Sequence, residues 1–222
     1  MAQDNTTSIG DELPTTSRVS PRRRPSQKRS KARSQQILDA TAELLDEVGV
    51  DDLTTNLIAK QVGISVGSLY HYFPNKHAIL YALGERWLEQ TRLLLEQIDQ
   101  WPLATLSLRE FVDKVVDQNL KVYKKQQGVL PLVQAMFAIP ELRPLDQYHD
   151  DMVIAAMAKV FKQLGAHKHV HERERIARAY LELTHALLLV VVSQQGQRAK
   201  RTLDDLKWMV EALLQRHLTD ID

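Results

Sequence analysis

With 222 residues, 44% of them hydrophobic and 26% charged, the chain has the length for one helical domain of ordinary size plus a small one, and a globular rather than a disordered composition. It has no cysteine, which excludes disulfides, thiolate metal sites and a cysteine nucleophile and suits a reducing compartment. The formal net charge is only +1, yet Arg18, Arg22, Arg23, Arg24, Lys28, Arg29, Lys31 and Arg33 crowd into residues 18–33 without an acid among them.

Residues 1–33 are rich in Ser, Thr, Pro and Arg and lack apolar periodicity, so they read as a disordered basic arm. The arm has no apolar stretch of the kind found in a secretory signal, and the longest aliphatic run in the chain, Ala186 to Val192, has seven residues. A membrane span needs about 20. The expectation is a cytoplasmic protein with no membrane segment.

From residue 34 onward the periodicity is helical. Ile37, Leu38, Thr41, Leu44, Leu45 and Val48 mark one face of a helix over 34–48 that Gly49 can end. Thr54 is a good N-cap, with Leu53 before it and Ile58 four residues after it, and it predicts a short helix to Val62 ended by Gly63. Ile64, Ser65 and Leu69 repeat the same staple and cap, predicting a third helix closed by Pro74. Two short helices joined through Gly63 and Ile64 form a helix-turn-helix signal.

After Asn75 the apolar positions Leu80, Leu83, Trp87, Leu94 and Ile98 predict a long helix that ends before Pro102. Ser107 and Glu110 make a capping box, stapled by Leu106 and Phe111, for a helix running towards Gly128. Prolines 131, 140 and 144 punctuate a helix over 130–138, and Leu145 to Val160 outline the next. The last two helices are expected at 172–195 and 203–218. The fold class is therefore all-α, with about nine helices.

The stretch Leu53 to Lys76 resembles the signature of the TetR/AcrR family of bacterial transcriptional regulators. The matching elements are the Thr54-Thr55 pair, Ile58-Ala59, Val62-Gly63, Ser65, Gly67, Leu69-Tyr70, Tyr72-Phe73, Lys76 and Ile79-Leu80. The resemblance implies an N-terminal three-helix helix-turn-helix DNA-binding domain and a larger helical ligand-binding and dimerisation domain. It also implies that the third helix enters the major groove and that the fourth links the two domains. The expected organisation is a basic arm at 1–33, a DNA-binding domain at 34–81 and a ligand-binding and dimerisation domain at 82–222.

A recognition helix needs a small, polar first turn for close approach to the duplex, which Ser65, Gly67 and Ser68 supply. Carrying the family pattern over residue by residue adds Thr55, Asn56, Val66, Tyr70, His71, Tyr72 and Lys76, with Lys76 on phosphate and Val66 suited to an apolar contact such as a thymine methyl. Leu69 and Phe73 are read as core. The basic arm is a candidate minor-groove or phosphate extension. Its weight increases because residues 34–84 hold Asp39, Glu43, Asp46, Glu47, Asp51 and Asp52 against only Lys60 and Lys76; these acids are expected to lie away from the groove.

Operators read by such motifs are usually paired half-sites, so a two-fold homodimer through helices 172–195 and 203–218 is expected on double-stranded DNA. An effector pocket among helices four to seven would draw on Trp87, Phe111, Tyr123, Phe137, Tyr148 and Met152, whose competing role is plain core packing. His167, His169 and His171 alternate in one loop but read as an exposed polar loop rather than a metal site. Tyr148-His149-Asp150-Asp151 has no recognisable catalytic spacing, so no enzyme, metal or cofactor is expected. The sequence thus reads as a dimeric repressor released from its operator by a small-molecule effector of unknown identity. The alternative is a DNA-bound structural or cell-division factor of the same fold without an effector.

Overall fold

The computed structural model describes residues 28–166 and 169–218. Nine α-helices follow one another in the described chain: α1 (Lys28–Asp52), α2 (Thr55–Val62), α3 (Val66–Tyr72), α4 (Lys76–Asp99), α5 (Leu108–Lys125), α6 (Val129–Ala138), α7 (Arg143–Gln163), α8 (Val170–Ser193) and α9 (Gly196–Gln215). A 3-10 turn at Leu103–Thr105 follows Pro102, and the only β pairing among the described residues is an isolated Ala166–Leu218 bridge. The fold is all-α, as the apolar spacing requires.

Local chemistry accounts for most boundaries. Ser107 accepts from the Glu110 amide at 3.2 Å while the Glu110 carboxylate accepts from the Ser107 amide at 2.8 Å, the reciprocal box that starts α5. Asn75 caps α4 by accepting from the Ala78 amide at 2.8 Å. Gly49 breaks α1 with φ 73° and ψ −176°, and Val50–Asp52 add one further turn.

Two starts differ from the sequence expectation. α1 begins at Lys28, so the last six residues of the expected disordered arm, 28–33, are helical; residues 1–27 lie outside the described residues. Lys, Arg and Ala are good helix formers and need no apolar face on a turn that extends into solvent. α9 likewise starts at Gly196 rather than 203, because Arg198, Ala199, Lys200 and Arg201 favour helix without apolar spacing.

The core runs through both ends of the molecule. Trp87, Tyr81, Tyr180, Phe73, Phe111 and Phe161 are fully buried. α8 packs between α7 and α9, α4 lies on α7, and α1 rests on both α4 and α6. By length and composition α8 is apolar enough to cross a membrane, with a mean hydropathy of 1.5 over an 18-residue window, of which 39% is buried. The run-length criterion passed over it because Arg178, Glu182 and His185 interrupt the apolar stretch.

The meeting of α1 with α6 depends on Gly128. Its φ of +69° suits a residue without a side chain, and a Cβ there would sit 2.7 Å from the Ala42 carbonyl oxygen and 3.0 Å from the Leu45 Cβ. Its amide donates to Asp46 Oδ2 at 2.9 Å, so a carboxylate of α1 sits at the N-terminal end of α6. Replacing Gly128→Ala combines backbone strain with overpacking and is expected to cost about 3 kcal/mol, a fall in Tm of about 6–12 °C by circular dichroism. An unchanged Tm would show that the junction yields freely.

Candidate nucleic-acid interface and regulatory core

α2 and α3 meet in a tight turn. Gly63 takes φ 72° and ψ 37°, its amide donates to the Lys60 carbonyl at 3.1 Å, and the Ile64 amide reaches the Ala59 carbonyl at 2.9 Å. This is the paired closure that a left-handed residue permits. Ser65 then caps α3 by accepting from the Ser68 amide at 3.1 Å, and the two hydroxyls lie 2.8 Å apart. Ile58, Ala59, Leu69 and Phe73 are buried, Leu69 and Phe73 as expected, and join the short helices through a shared core.

That packing leaves one polar surface. Asn56, Ser65, Gly67, Tyr70 and His71 are exposed; Thr55, Val66, Ser68 and Tyr72 are half-buried. The Tyr70 hydroxyl lies 3.2 Å from Thr55 Oγ1, which ties α3 to the start of α2 and brings two of the expected residues together. Tyr72 and Val66 also pack against the core, so each has a structural duty that the sequence reading gave only to Leu69 and Phe73. Lys76 donates to the Val50 carbonyl at 2.9 Å, tying the start of α4 to the last turn of α1. An ammonium has two further protons to offer.

Three of the six acids of this region have structural partners. Asp39 pairs with Arg86 of α4, Glu43 accepts from Gln61 at 3.4 Å, and Asp46 takes the Gly128 amide. They lie on α1, where they serve its contacts with neighbouring helices. Arg29, Lys31 and Arg33 belong to the first turns of the same helix.

The six expected effector residues do not form one cavity. Trp87 is 1% exposed and stacks on His149, with ring centroids 4.7 Å apart and planes 25° apart, and meets Tyr123 edge-on at 6.1 Å. Phe137 lies edge-on to His185 at 6.2 Å while remaining 55% exposed. Phe111 instead packs against Trp101, and Tyr148 and Met152 line a separate open groove between α4 and α7 with Leu95 and Val160. Helical spacing marks which side chains are apolar but not which helix each will face, so the candidates divide among three places.

The sequence reading missed His149 and His185. The Tyr123 hydroxyl and His185 Nδ1 are 2.6 Å apart, and both histidines line a small cavity of about 20 Å³ with Tyr123, Asn119, Tyr180 and Thr184. Burial, with a smaller contribution from His149 and an opposing pull from Asp150, lowers the His185 pKa to about 4. Burial raises that of the Tyr123 phenol, so both groups are neutral near pH 7. Neither histidine falls in an apolar pattern, and only α7 meeting α8 brings them together. Of the histidine loop, His169 occupies the N-cap position of α8 without a side-chain cap and His171 is exposed beside Glu174, while His167 lies outside the described residues.

Family comparison matches residues 37–83 to the bacterial regulatory proteins of the tetR family and residues 107–214 to the tetracyclin repressor-like C-terminal domain. The chain belongs to the TetR family. It is 42% identical over 67 residues to the tetracycline repressor protein class G of Vibrio anguillarum, covering 29% of this chain and 32% of that one. It is 43% identical over 135 residues to the nucleoid occlusion factor SlmA of Actinobacillus pleuropneumoniae, covering 60% and 61%. These matches therefore span about a third and about three fifths of the relatives' own lengths. A TetR-like transcriptional regulator from Rhodococcus sp. RHA1 superposes with a TM-score of 0.62 at 20% identity, over 87% of this chain and 97% of that one.

In this TetR-family chain the neutral His185 has a consequence for stability. The unfolded chain binds a proton near pH 6.5 that the folded chain refuses until about pH 4, so stability falls as pH drops through that window. The slope from this one group reaches about 1.4 kcal/mol per pH unit. Denaturant titrations from pH 7 to pH 4 are expected to show a shallower fall for His185→Gln than for the parent chain. Parallel curves would contradict a buried neutral imidazole.

Proposed function

We propose that the chain is a DNA-binding transcriptional regulator, a dimeric repressor that covers its operator and is released by a small-molecule effector. One observation carries the reading: α2 and α3 are locked by Gly63, Ser65 and the Thr55–Tyr70 contact so that Asn56, Ser68, Tyr70 and His71 share one polar surface. Family membership supports assigning that surface to the major groove. Hydroxyl, amide and imidazole groups there can reach phosphates and base edges, while Lys76 and the basic first turns of α1 gain affinity by releasing counterions.

The DNA-binding unit is assigned to α1–α3 and the regulatory unit to the helices from α4 onward. Dimerisation is assigned to α8 and α9, on which Val190, Trp208 and Met209 are exposed apolar groups and Leu183 and Leu187 are half-buried; Trp208 is 65% exposed. A two-fold pair of such faces makes a four-helix bundle. A cytoplasmic, non-enzymatic protein follows from this role.

A second reading has a specific support in the likeness to a nucleoid occlusion factor. In it the chain is a DNA-bound structural or cell-division factor of the same fold without an effector. Effector release separates the two, since lowering operator affinity 100-fold needs about 2.7 kcal/mol of differential binding.

Fluorescence anisotropy on a duplex from upstream of the chain's own gene, against a scrambled duplex at two salt concentrations, tests the role of α3. The native duplex is expected to bind saturably and in a salt-sensitive way, and His71→Ala, a change at an exposed position outside the α2–α3 contact, to weaken it at least about tenfold without changing Tm. Equal weak binding of both duplexes, unaffected by the substitution, would count against the assigned surface.

A further inference from the structure

Two hydrogen-bond donors are stranded in the regulatory core. The buried Trp87 Nε1 and His185 Nε2 find no partner among the described residues, although buried polar groups almost always do. They belong to one ring cluster: Trp87 meets His185 edge-on at 6.3 Å, and His149 lies 5.7 Å from His185. A phenol is a stronger acid than a neutral imidazole, so the Tyr123 hydroxyl is assigned as hydrogen-bond donor to His185 Nδ1, 2.6 Å away, and the single imidazole proton to Nε2. The cluster therefore holds two N–H groups, on Trp87 and His185, that no group among the described residues accepts.

The charge around it is selective. No Lys, Arg, Asp or Glu lines the small cavity beside the cluster, so an organic anion would find no cation there. Asp150, next to His149, is already engaged by Arg178, which leaves a cationic ligand no free carboxylate at that point. The cavity of about 20 Å³ has room for about one water, so a larger guest needs a side chain to move. Phe137 does not line that cavity, but it is 55% exposed with its ring edge-on to His185 at 6.2 Å, so its displacement opens a way to the imidazole. It sits on α6, whose first turn is seated on α1 through Gly128 and Asp46.

We propose that the Trp87–Tyr123–His149–His185 cluster binds an uncharged, planar molecule through a carbonyl-type acceptor, admitted past Phe137, and that this molecule is the effector. The binding stands on the cluster alone; the effector role rests on the regulator reading. Stacking along the Trp87–His149 pair favours an aromatic body, and displacement of Phe137 transmits occupancy along α6 to α1.

The test uses ¹⁵N-labelled full-length chain, whose three tryptophans give three indole cross-peaks, with Trp87 assigned through Trp87→Phe. Acetophenone is expected to shift the Trp87 indole proton saturably, ethylbenzene to bind at least tenfold more weakly, and benzoate to leave it unmoved. His185→Phe should weaken acetophenone at least tenfold. Phe137→Ala, a change at an exposed position, should tighten or speed its binding. Equal binding of ethylbenzene, a preference for benzoate, or an unmoved Trp87 signal with every probe would overturn the site and leave a one-water void. Anisotropy on the acetophenone-saturated protein then reads the effector role: at least tenfold weaker operator binding supports it, and unchanged binding overturns it. Failure of the ligand-free protein to select its duplex would instead reject the regulator reading itself.

Discussion

The arrangement turns on a contact between two helices that the rest of the fold holds at backbone distance. α6 meets α1 with Gly128 against the Ala42 carbonyl, and Asp46 accepts the Gly128 amide at the point where α6 begins. A close contact of this kind does not deform gradually, because packed interiors have few intermediate arrangements. Whatever displaces α6 must therefore move α1 with it or break the contact. α1 in turn carries the packing for α2, and the Arg86–Asp39 pair joins it to α4.

The two ends of this lever are built on different principles. The α2–α3 end is nearly all local: caps, staples and one left-handed glycine set its geometry, and its polar surface is what remains once Ile58, Leu69 and Phe73 are buried. The other end is non-local, with α4, α5, α6, α7 and α8 each contributing one or two groups to the Trp87 cluster. Local devices can be read from neighbouring residues, whereas a cluster assembled from five helices cannot.

This difference explains what was legible beforehand. The caps at Thr54, Ser65 and Ser107 place three helix starts correctly because each cap satisfies an amide within three residues of itself, and the structure adds Asn75 as the cap of α4. The starts of α1 and α9 were missed because their first turns hold good helix formers with no apolar face, and periodicity detects burial rather than helicity. Aromatic character on helices four and five points to Trp87 and Tyr123, whereas nothing in the local pattern points to His149 and His185, which give the cluster its chemistry. Tyr72 and Val66 show the converse, since one residue can both face the expected groove and pack on the core.

The most direct test of the central claim is a hydroxyl-radical footprint of the full-length chain on genomic fragments that it retains from solution in the presence of excess competitor DNA. A two-fold pair of α3 helices predicts two protected half-sites related by inverted symmetry, their centres about 10–10.5 base pairs or a multiple of that apart. Uniform protection with no shared sequence and no fixed spacing would contradict it.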